Sequence, residues 1–198
     1  KQILSKCRNN FNINIDADRL EFVFLNQRKW VEADKYPIFT LLGQSIGSMV
    51  LGFEALLKFQ PDIYMDTMGY AFTYPIFKYI GGARISSYTH YPTISTDMLR
   101  RVASRTASYN NKSHVAKNPF LTWAKIYYYR LFASIYGRVG RCAENVMVNS
   151  SWTENHINSI WDIPLRTHRI YPPCEVSSLQ EIQHVPSSDG NIYILSVG

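Results

Sequence analysis

His90 is the side chain of this chain best placed to do chemistry. An apolar run over residues 83–88 reads as a buried strand, and it gives way to His90, Tyr91 and Pro92. Ser95 or Thr96 then opens a helix with Asp97 in its first turn. Ligands of α/β proteins bind just beyond the carboxyl ends of parallel strands. A histidine at that place faces the site, and imidazole is the one side chain poised between charge states near neutral pH. A lone histidine at a strand end is also, and more often, a satisfied loop residue, so residue type alone leaves both roles open.

Two further strand ends bear on the same edge. Asp66, Thr67, Met68, Gly69 and Tyr70 follow an earlier strand. Gly69 permits close backbone approach by a ligand, and Asp66 serves equally well as a cap for the helix that follows. Asn149, Ser150 and Ser151 follow a later strand and lead into a helix whose N-terminal N–H groups suit an anion or a sugar hydroxyl. Ser151-Trp152-Thr153-Glu154 has the spacing of a capping box, with Ser151 as the cap. Tyr88 and Thr89 flank His90 as supports. The cysteines Cys7, Cys142 and Cys174 are far apart and odd in number, and no C-x-x-C pair occurs. A zinc site, a redox motif and a disulfide framework are therefore not expected.

The elements that position these residues alternate along the chain. Residues 2–8 read as a helix-like tail and residues 20–25 as a strand. A long helix over 38–59 is closed by Pro61, and residues 62–66 form the next strand. A short helix over 72–80 ends at Gly81-Gly82, which supply a left-handed stop. Residues 83–89 are a strand, 96–104 a helix, 109–118 a polar loop and 121–142 a long helix that follows Pro119. A strand over 145–149, a helix over 151–161 and a short strand over 169–171 follow. Pro172, Pro173 and Cys174 open a segment that sets a hinge, residues 177–191 read as a polar linker and 191–197 as a final strand. Strand, helix, strand in this rhythm means crossover connections: an α/β fold, with a Rossmann-like parallel sheet and helices on both faces. At 198 residues and 46% hydrophobic, the chain can bury one good core and is short of two full domains. It opens on Lys1, as a fragment or a processed form would.

Charge is unevenly placed. Nine of the 21 Lys and Arg lie between Met98 and Ala143, where there is no Asp or Glu; the other 12 face all 15 acids. A basic block set in a mildly acidic body is either a solvated helical face or a site for an anionic partner: nucleic acid, a membrane surface or a diphosphate. The block also carries Trp123, Tyr127, Tyr128, Tyr129 and Tyr136, and Trp and Tyr favour the headgroup level of a bilayer. An interfacial helix and an ordinary core helix with a basic outer side both fit. The most apolar window, residues 38–57, holds Glu54, four other polar residues and three glycines, which suits a packed internal helix better than a membrane span.

The run from His90 to Asp97, with Gly69-Tyr70-Ala71-Phe72 and Tyr79-Ile80-Gly81-Gly82 upstream and Val148-Asn149-Ser150-Ser151-Trp152-Thr153 and Tyr171-Pro172-Pro173-Cys174 downstream, closely resembles one family. These are the α-1,2-mannosyltransferases that extend the trimannosyl core of dolichyl-diphosphate-linked oligosaccharide in asparagine-linked glycosylation. The resemblance runs in order over nearly the whole chain. It implies most of the N-terminal half of a GT-B glycosyltransferase: residues 1–176 as the acceptor-side domain, without its first strand and glycine-rich loop, and 177–198 as the linker and the opening strand of the donor-binding domain. It implies retaining transfer from GDP-mannose to the dolichyl-diphosphate oligosaccharide without a metal. The stretch alone is then inactive, because the other domain holds most of the nucleotide.

By the same resemblance His90 faces the transferred sugar and is the catalytic residue, while Gly69, Tyr70, Tyr88, Asn149, Ser150 and Ser151 bind substrate. The implied setting is the cytosolic face of the endoplasmic reticulum membrane. The implied partners are that surface, the lipid-linked acceptor and other lipid-linked-oligosaccharide mannosyltransferases. Neither G-x-G-x-x-G nor G-x-x-x-x-G-K-[ST] occurs. Rival readings are a related glycosyltransferase with another acceptor, a non-catalytic membrane- or lipid-binding module, and a nucleic-acid-binding domain. Against the last, the aromatics run in one helix among apolar residues and no recognised nucleic-acid motif is present.

Overall fold

The structure is a computed structural model in which residues 2–104, 119–172 and 180–181 are described. The chain divides into two compact units, residues 22–171 and residues 1–21 with 172–198. In the smaller unit the N-terminal tail is the helix α1, Gln2–Phe11, followed by a single turn, Ala17–Arg19, capped by Asp16, whose carboxylate accepts from the Asp18 N–H. Apart from residues 180–181, the proposed linker 177–191 lies outside the described residues, as do the final strand 191–197, the hinge residues Pro173 and Cys174 and the loop 109–118.

The larger unit is built on four parallel strands in the order β1 (Ile63–Asp66), β2 (Arg84–Thr89), β3 (Asn145–Val148) and β4 (Thr167–Arg169). The register sets Asp66 beside Ser87, Thr89 beside Val148 and Val148 beside Arg169, so all four carboxyl ends lie along one edge. The connections carry α2 (Thr40–Lys58) before β1, a 3-10 turn (Ala71–Thr73) and a π turn (Ile76–Ile80) before β2, α3 (Thr96–Ala103) and α4 (Pro119–Gly140) before β3, and α5 (Ser151–Trp161) before β4. Each crossover moves one place along the sheet in the same direction. Right-handed crossovers then fall on one face. The core is on that face: Ile85, Val146 and Val148 pack with Phe77, Tyr74, Tyr136, Ile157 and Trp161. A doubly wound sheet carries helices on both faces; among the described residues the opposite face stays open, with Met65 53% exposed and Ser86, Tyr88 and Met147 half-buried.

Three expectations need correction. Residues 20–25 are not a strand. No ladder pairs with them among the described residues, and the polar groups that follow find side chains of α2 instead. Lys58 Nζ donates to the Phe24 carbonyl at 2.7 Å, and the Asn26 and Gln27 N–H groups donate to the Glu54 carboxylate at 2.8 Å each. The short strand after α5 is Thr167–Arg169 rather than 169–171. Pairing decides its position, although the Ile170 N–H still reaches the Val148 carbonyl at 2.9 Å. The cap of α5 is one residue earlier than the sequence suggests: Ser150, with extended φ −157°, accepts from the Thr153 N–H, and Glu154 pairs with Arg169 rather than closing a capping box.

The long helix α2 packs as an internal helix by a side of small residues joined by Leu51 and Leu56. Ser45, Gly47, Ser48 and Gly52 are buried, where a methyl group at Gly47 would overlap the Trp30 carbonyl. Its outer side is the bulky one, with Ile46, Met49, Val50, Phe53 and Leu57 exposed. By length and composition alone, α2 would also suffice to cross a membrane. The helix α4 serves two surroundings at once. Tyr129, Phe132 and Tyr136 enter the core, while Phe120, Trp123 and Tyr127 stack outward at centroid spacings of 6.5 and 6.0 Å beside exposed Arg130. The core reading describes one of its sides, and the other side presents exposed aromatics.

Two measurements check this packing. A Cβ at Gly140 would overlap the fully buried Trp161 indole. Gly140→Ala is expected to cost about 1–3 kcal/mol by overpacking, or roughly 2–4 °C of Tm per kcal/mol. An unchanged Tm would show that the helix end yields instead. The Lys58 ammonium, first, and then the Asn26 N–H hold Glu54 down at about 2 from its ordinary 4.5. A depressed carboxylate contributes above its unfolded pKa and is lost as pH falls through the folded one. Protection of the Asn26 and Gln27 amides, relative to their intrinsic exchange rates, should accordingly fall between pH 4.5 and about 2, and Glu54→Gln should remove that step.

Candidate functional site at the carboxyl edge of the sheet

The edge is assembled from three loops, one after each of β1, β2 and β3. After β1, Asp66 turns back on its own chain. It is buried, and its Oδ1 accepts the N–H groups of Met68 at 2.9 Å and Gly69 at 3.1 Å. Its Oδ2 accepts the Tyr74 hydroxyl at 2.8 Å. Asp66 is thus a structural carboxylate that closes a turn rather than a group offered to a ligand. Burial, then the Asp66 charge, raises the Tyr74 phenol well above its ordinary value, so it stays a donor. Gly69 holds φ +83°, which favours glycine. A Cβ there would meet nothing within 4 Å, so the space in front of this turn is open. Tyr70 beside it is half-buried; burial and Asp66 raise its pKa, against the lowering effect of Arg28.

After β2, the exposed His90 ring stands edge-on to Tyr88 at 4.8 Å between centroids. Tyr88 is fixed in turn, its hydroxyl donating to the Ile170 carbonyl at 2.9 Å. After β3, Asn149 and Ser150 meet α5 at Thr153. The Thr153 hydroxyl lies 2.9 Å from Asn149 Oδ1, 3.0 Å from Ser150 Oγ and 3.2 Å from the His90 carbonyl. This one hydroxyl therefore sits between the β2 exit and the β3 exit, its single proton shared between the Asn149 and His90 oxygens. Ser150 is committed to the cap, and Ser151 is exposed at the first turn of α5. The sheet edge brings His90, Tyr88, Asn149, Ser150 and Ser151 together. Gly69 and Tyr70 follow the neighbouring strand β1 at the same edge.

A second set of ties, not read from the sequence, holds the loop from its other side. His156, buried on α5, has Nδ1 2.8 Å from Thr96 Oγ1 and Nε2 3.3 Å from Asp97 Oδ2. Trp152 Nε1 donates to the same Asp97 oxygen at 3.3 Å, and its ring stacks on Tyr91 at 4.9 Å. The Thr93 N–H reaches the Tyr136 hydroxyl at 3.3 Å. The signal was available: Trp152, Thr153 and His156 fall at i, i+1 and i+4 of a helix start, one face of its first two turns. Nothing in their types said that the face would meet residues 90–97. Among the described residues no group of His, Cys, Asp and Glu is arranged to hold a metal ion.

His156→Ala should release the loop. Amide exchange at Tyr91 and Thr93 is expected to rise at least about tenfold while the β2 and β3 amides hold, and His156→Gln should recover part of it by donating to Asp97. Unchanged exchange in His156→Ala would show that Thr153 alone fixes the loop.

Comparison with known proteins bears on what this edge does. Residues 1–161 match the family model described as the ALG11 mannosyltransferase N-terminus. Among curated relatives, the mouse protein named GDP-Man:Man(3)GlcNAc(2)-PP-Dol alpha-1,2-mannosyltransferase is 53% identical over 92% of this chain and 37% of its own length. The human protein of that name is 51% identical over 100% of the chain and 40% of its own length. The one from Dictyostelium discoideum is 48% identical over 92% and 36%. The chain thus spans about two fifths of the length of these relatives. No solved structure matches it. With the family model covering residues 1–161, the chain belongs to the ALG11 mannosyltransferase N-terminus family.

Proposed function

We propose that the protein carrying this chain transfers mannose from GDP-mannose in α-1,2 linkage, with retention, to the dolichyl-diphosphate-linked trimannosyl oligosaccharide, and that this chain supplies the acceptor side. The observation that carries the reading is the shared name of relatives up to 53% identical to it. The site geometry is consistent with it. Transfer of a glycosyl group passes through an oxocarbenium-like state while charge grows on the leaving diphosphate, so positioning and fixed dipoles supply most of the acceleration. His90 has its backbone carbonyl 3.2 Å from the Thr153 hydroxyl and its ring edge-on to Tyr88. In this reading it hydrogen-bonds the donor sugar and shapes charge near the anomeric carbon; it is not a general base. The open space before Gly69 admits an acceptor, and Asn149 and Ser151 offer polar groups at its rim. No metal enters the scheme.

The reading places the enzyme at the cytosolic face of the endoplasmic reticulum membrane. The outward stack of Phe120, Trp123 and Tyr127 beside Arg130 and the bulky outer side of α2 support contact with a headgroup layer. The same surfaces suit a second reading, a membrane-binding module without transfer. Labelled mannose transfer by the full-length protein separates the two. The wild type is expected to extend the trimannosyl acceptor. His90→Ala should lose about 10²–10³ in kcat with its Tm held. No transfer by the wild type, with liposome binding intact, would favour the module; loss of folding in His90→Ala would return His90 to a structural role.

A further inference from the structure

Of the described histidines, His90 and His168 are exposed and His156 alone is buried, at 6% exposure on α5. So deep a side chain meets no substrate, and any part it takes in a reaction passes through its neighbours. Both of its ring nitrogens face the residues that open α3. Nδ1 lies 2.8 Å from Thr96 Oγ1 and Nε2 lies 3.3 Å from Asp97 Oδ2. A carboxylate oxygen only accepts, so the neutral ring carries its proton on Nε2, and Nδ1 accepts the Thr96 hydroxyl. The ring is also edge-on to the Trp152 indole, 4.1 Å away between centroids with the planes 72° apart.

These contacts gather at Asp97. Its Oδ2 accepts Trp152 Nε1 at 3.3 Å and faces His156, while its Oδ1 lies 3.7 Å from Arg100. Trp152 is therefore held at its nitrogen by Asp97 and at its ring by His156, and it stacks in turn on Tyr91 with the planes 29° apart. Tyr91 shares a peptide bond with His90. The path from the buried imidazole to His90 thus runs through Asp97, Trp152 and Tyr91. A second path runs along the chain, where the buried Ser95 caps α3 by accepting the Met98 N–H at 3.3 Å and joins the end of the loop to the helix that His156 grips.

We propose that His156 is a positioning residue for the transfer: by holding Thr96, Asp97 and Trp152 it fixes the path of residues 90–97 and so the place of the His90 ring. The inference rests on the reading of His90 given above and adds to it a residue that no substrate meets. A catalytic group displaced by about 1 Å loses on the order of 10²-fold in rate. Loosening this tie therefore acts on turnover more than on substrate binding. The two sides of the ring are not equivalent: the Asp97 side leads to Trp152 and Tyr91, and the Thr96 side leads only to the start of α3.

Labelled mannose transfer by the full-length enzyme tests this. His156→Ala should lower kcat at least about tenfold and leave KM for GDP-mannose within about twofold. His156→Gln, which places a donor nitrogen near that of Nε2, should return kcat to within about threefold of the wild type. His156→Asn, whose shorter side chain reaches only Thr96, should not. The sharpest comparison is made in His90→Ala, where a residue that acts through His90 has nothing left to position. Adding His156→Ala there should lower the residual rate less than about twofold. An equal loss in both backgrounds would make His156 a merely structural residue and overturn the proposal. So would an unchanged kcat in His156→Ala, or the same kcat in the Gln and Asn variants. If the wild type transfers no mannose, the mannosyltransferase reading fails by itself, and amide exchange at Tyr91 reads the tie without substrate. Exchange raised in His156→Ala and His156→Asn and recovered in His156→Gln would keep His156 as the residue that fixes the His90 loop; equal exchange in all three would overturn that role as well.

Discussion

Four strands that all run the same way cannot return to their starting edge without a crossover, and every crossover here leaves from the same end of the sheet. That constraint makes the site. The turn at Gly69, the loop at His90 and the start of α5 at Ser150 are distant in sequence, and they become neighbours because β1, β2 and β3 end in register. The sequential strand order has a second consequence, since right-handed connections that always step the same way bury one sheet face. The core therefore gathers on the side of Ile85 and Val146, and Tyr74, Tyr136 and Trp161 fill it with aromatic edges and faces.

The core and the edge are one mechanical system. Tyr74 has its ring against Trp161 and its hydroxyl on Asp66, which forms the Gly69 turn. Tyr136 has its ring among the same aromatics and its hydroxyl on the Thr93 amide. The first two turns of α5 close the arrangement, with Thr153 near the His90 carbonyl and His156 on Thr96 and Asp97. A loop held from three sides loses little entropy when a ligand binds, which is the condition under which fixed dipoles act on a developing charge.

Much of this was legible in the residues. The alternation of elements gave the parallel α/β sheet, and Pro61, Pro119 and Gly81-Gly82 punctuated the helices where the structure ends or begins them, to within a residue or two. His90 and the other proposed contacts do stand at one edge. What escaped was set by partners remote in sequence. Residues 20–25 have the composition of a strand, yet Glu54 and Lys58 of α2 provide the partners of the segment that continues from them. Ser150 and Ser151 are alike as caps on paper, and the backbone leaving β3 decides between them. His156 reads as an ordinary helical residue until α3 is placed across from it. The pattern of α2 has the right period for a helix and hides which side is core, because bulky residues stand on both sides and the inward side is small where Gly47 meets the Trp30 carbonyl.

The central claim is that the carboxyl edge of this sheet holds the acceptor during mannose transfer. A trimannosyl dolichyl-diphosphate acceptor carrying a diazirine on its terminal mannose, photolysed on the full-length enzyme and mapped by peptide mass spectrometry, tests it most directly. The account predicts adducts within 66–70, 88–95 and 149–153, suppressed by unlabelled acceptor. Suppressible adducts confined to other parts of the protein, with these three segments unlabelled, would contradict it.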